Sequence, residues 1–278
     1  IITTKKGKGA GRKAQISYNS NVSFDKIAVL PNFQSIYAQG DAGKFNPTSS
    51  TSWGPKIDDL GDDPTYGGNV SNEYSDAAKA NGINTKDKYY VRQRAIAGLD
   101  PWATPQAYNN AKDFFNVGKT FNNSLSVLQG FEKGNFALSL GATNADGIVP
   151  STGLDRYTAK LAAEANLTEK WSVGFSGNYI NSKITKQTGA NNGLMATVLP
   201  APASYDLAGI PSSVFKNPYA QNTYRSTGGF DAAYWAVENN VFTEDNQRFF
   251  GNGYVQYATK LTDKQKLTFK YQLGADSY

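Results

Sequence analysis

Apolar and polar side chains trade places at every second residue along much of this chain, over stretches longer than an ordinary strand. In "DRYTAKLAAEANLTEKWSVGFSGNYINSK", Tyr157, Ala159, Leu161, Ala163, Ala165 and Leu167 fall on one parity, while Thr158, Lys160, Ala162, Glu164 and Asn166 fall on the other. That is the period of two of a pleated strand. After Leu167-Thr168-Glu169-Lys170 the pattern restarts, with Trp171, Val173, Phe175 and Tyr179 set against Ser172, Gly174, Ser176 and Asn178. Two alternating runs separated by a polar tetrapeptide predict a hairpin. The same design recurs around Phe131-Glu132-Lys133-Gly134 and around Thr262-Asp263-Lys264, and a single run opens the series at Ile16, Tyr18, Val22 and Phe24.

These patterns predict strands at about 14–24, 120–130, 134–144, 154–167, 170–183, 247–261 and 265–277. The connections alternate in length. A very long one (25–119), a moderate one (145–153) and a long one (184–246) are interleaved with short turns. Because antiparallel strands send every second connection to the same edge, the short turns gather at one end of the sheet and the long loops at the other.

Strands in globular proteins usually span about five or six residues, whereas these runs persist for roughly nine to thirteen, the length a tilted strand needs to cross a hydrocarbon layer. Lys160, Glu164, Lys266 and Lys270 sit on the polar parity. A soluble sandwich also has one apolar face, but a small packed interior has no place for those charges, and an aqueous lumen does. The pattern therefore predicts an all-β, antiparallel transmembrane barrel, with short periplasmic turns and long extracellular loops.

Composition narrows the function classes. The 278 residues are 39% hydrophobic and contain no run of eighteen apolar residues, which removes helical membrane spans and leaves β spans open. With no cysteine and no histidine, a disulfide framework, a His-ligated metal and a Ser-His-Asp triad are all unavailable within the sequence. The net charge of +5 is densest in "KKGKGAGRK" at Lys5–Lys13, which has no aromatic interleaving, so it predicts a basic turn at a membrane-facing end and no nucleic acid. The same stretch lacks the Gly-Lys-Ser/Thr ending of a phosphate loop. No pair of acids has an assignable catalytic spacing, and no enzymatic activity is expected.

The long loops carry the candidate binding chemistry. Trp53, Trp102, Tyr234 and Trp235 suit sugar or peptide recognition, or equally the packing of the loops against one another. Asp58, Asp59, Asp62 and Asp63 offer hard oxygen ligands that could hold Ca2+, or form a solvated turn, since the twelve-residue calcium-loop spacing is missing. No other cofactor is expected.

Several longer stretches resemble a known family. "IITTKKGK", "YNSNVSFDK" (Tyr18–Lys26), "SWGPKID" (Ser52–Asp58), "DFFNVGKTFNNSLSV" (Asp113–Val127), "NFALSLGATNADGIVPSTGLDRYT" (Asn135–Thr158) and "LTEKWSVGFSGNYINS" (Leu167–Ser182) are together similar to the SusC/RagA family of TonB-dependent outer-membrane transporters. The resemblance implies that residues 1–13 end a plug domain and that 14–278 begin a barrel of about 22 strands, of which seven are present. A signal peptide, the TonB box, most of the plug and the other strands would then belong to a longer polypeptide. It further implies uptake of an oligosaccharide or peptide, energised through TonB-ExbB-ExbD, with a SusD-like lipoprotein on the extracellular side. A passive porin shares the strand pattern but needs no plug. A soluble or surface glycan-binding β module would fold in water without detergent.

Overall fold

Alternation becomes structure wherever two such runs can lie side by side, because each strand's backbone bonds its neighbour and its two faces meet different surroundings. The computed structural model describes residues 13–187, 189, 193–225 and 228–278, so the expected plug end at 1–13 lies almost wholly outside the described residues. The strands in chain order are β1 (Gln15–Asp25), β2 (Gly40–Asp41), β3 (Lys44–Phe45), β4 (Tyr89–Tyr90), β5 (Trp102–Ala103), β6 (Gly118–Phe131), β7 (Gly134–Asp146), β8 (Gly153–Asn166), β9 (Trp171–Lys186), β10 (Ser213–Val214), β11 (Asn217–Gln221), β12 (Phe242–Thr262) and β13 (Gln265–Ser277). Helices are α1 (Glu73–Ala80), α2 (Arg92–Ile96), α3 (Asn110–Phe114), α4 (Met195–Val198) and α5 (Ala233–Asn239), with a 3-10 helix at Ile57–Asp62.

The long strands form one seven-stranded antiparallel sheet in the order β1-β6-β7-β8-β9-β12-β13, an all-β architecture that is part of a barrel. Register sorts its two faces. Tyr18, Leu125, Leu140, Ala159, Tyr179 and Phe249 lie in one row across six strands, and Ala163, Phe175, Gly253 and Leu273 lie in another. Between the row of Tyr18 and the row of Trp171, this face carries no Asp, Glu, Lys or Arg. The charges Arg156, Lys160, Glu164, Arg248, Lys270 and Asp276 all sit on the opposite parity. There the Tyr254 hydroxyl donates to Glu164 Oε1 (2.8 Å), the Lys270 ammonium lies over the Tyr254 ring, and Arg248 pairs with Asp276.

Aromatic rings edge the apolar face. At the loop end, the Tyr18 hydroxyl donates to Asn123 Oδ1 (2.7 Å), and the Tyr157 hydroxyl accepts from Asn144 Nδ2 (3.4 Å). Toward the turns, Trp171 meets Tyr257 with centroids 5.0 Å apart, and Phe131 stacks on Phe136. Trp171 and Tyr179 are eight residues apart on β9, about 26 Å of strand at ~3.3 Å per residue.

Turn chemistry fixes the hairpins. At Leu167–Lys170 the Thr168 hydroxyl accepts from the amides of Lys170 (3.2 Å) and Trp171 (3.0 Å), closing the turn locally, as short hydroxyl side chains do. β9 and β12 run further toward the loops than the alternation indicated, to Lys186 and from Phe242. In Phe242-Thr243-Glu244-Asp245-Asn246 both faces are wet, so the ladder continues without an apolar parity to announce it. Lys186 and Glu244 form a 2.8 Å ion pair across this extension.

The protein's core lies away from the sheet. Leu60, Tyr89, Val91, Phe114, Val198, Tyr205, Ile210, Tyr224 and Ala233 are buried together, and every one of them comes from the two long connections. The described residues of 26–117 and 187–241 thus fold into a single cap at the loop end. Within it α1 starts on a capping box, in which Asn72 Oδ1 accepts from the Ser75 amide and Ser75 Oγ accepts from the Asn72 amide. Gly68 allows the chain to press against Thr85, whose carbonyl would overlap any added Cβ.

Candidate functional site

The cap is held by amide side chains that reach between the two loops. Asn110, at the start of α3, donates from Nδ2 to the carbonyls of Pro202 (2.9 Å) and Tyr205 (2.8 Å), and its Oδ1 accepts from the Leu207 amide (3.1 Å). Gln39 donates to the carbonyls of Ser49 and Tyr224, while its own amide donates to Ser204 Oγ (2.9 Å). Asn222 donates to the carbonyls of Gln93 (2.8 Å) and Pro211 (2.9 Å). Irregular backbone buried against irregular backbone leaves carbonyls without ladder partners, and Asn and Gln carry the donors that satisfy them.

The four aromatics singled out in the sequence divide. Trp102 is 4% exposed and meets the Tyr90 ring edge-on at 5.8 Å, at the end of a run in which Tyr66, Tyr74 and Tyr90 stack in turn. Tyr234 packs edge-to-face on Phe114 (5.3 Å), and Trp235 Nε1 donates to the Pro218 carbonyl (2.8 Å). These three rings are occupied within the cap. Trp53 is 71% exposed and presents its ring to solvent.

The acidic residues do not converge. Asp58 and Asp59 lie in the first turn of the 3-10 helix, Asp62 Oδ1 accepts from Asn69 Nδ2 (2.8 Å), and Asp63 Oδ1 accepts from the amides of Thr65 and Tyr66. Among the described residues, no group of three or more acids could hold a metal ion. Asp63 instead closes the turn that leads to Tyr66, as a short carboxylate does in an Asx turn.

Three segments distant in sequence line a cavity of about 590 Å³. Residues 30–35, just after β1, form one wall, residues 107–112, just before β6, form another, and residues 198–203 close it. Its position ties it to the loop-side rim of the sheet, where Asp25 of β1 pairs with Gly118 of β6. No single motif marks it in the sequence, because each segment contributes only a few residues.

Burial raises the hydroxyl pKa of Tyr89, Tyr205 and Tyr224, that of Tyr224 to about 12 despite the opposing Arg225 guanidinium. Their hydroxyls are kept neutral while those of an unfolded chain ionise near ~10. Above that pH the unfolded chain has released protons that the folded cap retains, so cap stability falls as pH rises, by up to about 1.4 kcal/mol per pH unit for each tyrosine. Phenolate absorbance should lag behind that of free tyrosine up to pH 12, and amide exchange in the cap should accelerate over the same window. Titration of all tyrosines near 10 with unchanged exchange would contradict this.

No family model matches the chain. It is 23% identical over 248 residues to the TonB-dependent receptor SusC of Bacteroides thetaiotaomicron, a match that covers 88% of this chain. The chain spans 20% of the length of that receptor. Among the described residues, no helix is long and apolar enough to cross a membrane, which says nothing of the strands. A sheet that is part of a β-barrel, with one apolar face uncharged across its middle band, thus belongs to a chain similar to a TonB-dependent receptor.

Proposed function

We propose that this chain forms the first part of the barrel of an outer-membrane transporter that takes up an oligosaccharide or peptide actively. A plug coupled to TonB-ExbB-ExbD supplies the energy, and a SusD-like lipoprotein meets the cap on the extracellular side. The ligand passes unchanged, with no catalytic step. The observation that carries this reading is the outward face of the sheet. Ile16, Tyr18, Phe175, Phe269, Tyr271 and Leu273 are all exposed on it, and the protein's core lies elsewhere. A contiguous apolar surface of this size needs a cover, and lipid supplies one across a band about 25 Å tall edged by aromatic residues. A soluble sandwich would cover it with a second sheet, whereas the other sheets among the described residues are two-stranded pieces within the cap.

In lipid the edges β1 and β13 require partners too, because an unpaired N–H or C=O in hydrocarbon costs several kcal/mol. Further strands of a longer barrel would pair there. Cells dependent on the full-length transporter should accumulate labelled nutrient only while the inner-membrane proton gradient is intact. Accumulation that ignores an uncoupler would point to a passive porin. In the intact complex, cross-links to the lipoprotein should map to 26–117 and 187–241 and spare the turns at 131–134 and 167–170. Cross-links confined to those turns would reverse the orientation.

A further inference from the structure

We infer that a groove on the outward face of the sheet seats the acyl chains of phosphatidylethanolamine, whose zwitterionic head lies on a belt of mixed charge just above it. The inference rests on the membrane placement in the transport reading and names one lipid that this placement brings to the protein.

The groove, about 420 Å³, crosses β1, β6, β7, β8 and β9 at the loop end of the apolar band. Its floor is aliphatic, made by Leu125, Leu140, Ala142 and Ala159. Tyr18 stands at one end, and Tyr157 and Tyr179 at the other. Two of these walls are fixed within the sheet, since the Tyr18 hydroxyl donates to Asn123 Oδ1 and the Tyr157 hydroxyl accepts from Asn144 Nδ2. Asn123 Oδ1, the carbonyl oxygen that faces the groove, is further engaged by the Ser20 hydroxyl (2.8 Å). Alanines between large rings leave a hollow, and hydrocarbon fills such a hollow without breaking any of these bonds.

Charge says what lies above it. On the same parity, Asp155, Lys183 and Asp245 stand side by side across β8, β9 and β12, and Lys119 stands beside Asp146 across β6 and β7. Asp155 is two residues beyond Tyr157, and Lys183 is four beyond Tyr179, or about 7 and 13 Å of strand at ~3.3 Å per residue. All five side chains are exposed, and among the described residues neither lysine forms an ion pair. A phosphate is matched by the lysines and an ammonium by the aspartates. Phosphatidylethanolamine carries both in one head. Three aspartates to two lysines leave the belt net negative, which repels phosphatidylglycerol and the diphosphorylated lipid A of lipopolysaccharide. Bridging those phosphates to the aspartates would take a divalent cation, and among the described residues no group of three or more acids could hold one.

The test is native mass spectrometry of the full-length transporter, delipidated in detergent and offered phosphatidylethanolamine, phosphatidylglycerol of the same acyl chains, or lipid A. At equal concentrations, at least fivefold more phosphatidylethanolamine should stay bound than either of the others. Ala159→Trp fills the groove and Lys183→Gln removes a partner of the phosphate, so each should cut that retention at least fivefold. Val255→Trp, on the same face outside the groove, should leave it unchanged. Tryptophan suits a membrane interface and Lys183 is exposed, so these variants still assemble. Equal retention of the two phospholipids, a preference for lipid A, or parent-like retention in either Ala159→Trp or Lys183→Gln would overturn the seat. So would a lipid-free dimer that Ala159→Trp separates, which would give the groove to a second copy. Each of these results leaves transport standing. Full-length protein that stays monomeric and folded in water without detergent would remove the membrane placement, and the lipid seat with it.

Discussion

Phe175→Arg should reduce the yield of assembled, membrane-inserted protein severalfold, whereas Ser176→Arg should leave it close to the parent's. Phe175 lies midway along the apolar face of β9, between Ala163 of β8 and Gly253 of β12. Ser176, one residue on, is paired with Ala162 and Asn252 on the face that carries Lys160 and Lys270. A cation facing lipid near the midplane costs about 2–4 kcal/mol, and one facing a wet lumen costs little. Compact barrel on unheated electrophoresis of outer membranes reads this directly in the full-length protein. Equal yields for the two variants would sink the assignment of faces. A reversed order would show that the register is slipped by one residue, because such a slip exchanges the two faces.

Asn110→Ala should loosen the cap while sparing the sheet. The side chain is 6% exposed, and its loss leaves the carbonyls of Pro202 and Tyr205 and the amide of Leu207 buried without partners. Each orphaned group costs about 1–3 kcal/mol, so the total exceeds the effect of an ordinary surface substitution several times over. Amide exchange and protease cutting in residues 194–210 should rise sharply, with barrel assembly unchanged. Exchange at the parent's rate would show that the contact is dispensable.

The sheet and the cap differ in how far the sequence disclosed them, and the difference is physical. Across the apolar band the two faces meet different solvents, so Phe175 and Ser176 had to differ in kind and the period of two was plain. Beyond the band that contrast ends, which is why the extension of β9 to Lys186 and of β12 back to Phe242 left no signal. Inside the cap, strands of two to five residues and helices of four to eight are too short to show a period. They are specified by pairs such as Gln39 with Ser204 and Asn110 with Tyr205, which no local window contains. Trp102 and Tyr234 were visible as aromatics, but whether they face a ligand or a neighbouring loop depended on Tyr90 and Phe114. Phe33, Gln34 and Asn109 carry no local signal, since a cavity wall assembled from three segments has no linear motif.

That the core belongs to the loops also bears on the order of folding. Gln39 binds Ser204 and Tyr224, 165 and 185 residues further along, and β6 to β9 lie between the two halves of the cap. Contacts of such sequence separation are slow to form, because the intervening chain must be ordered before they are rewarded. The hairpins, with turns of a few residues, close early. The cap closes last, once β9 has delivered residues 193–225 to the rim. Until then its apolar half at 26–117 stands open to water, which makes that interval the one in which a chaperone or a protease would find the most exposed core.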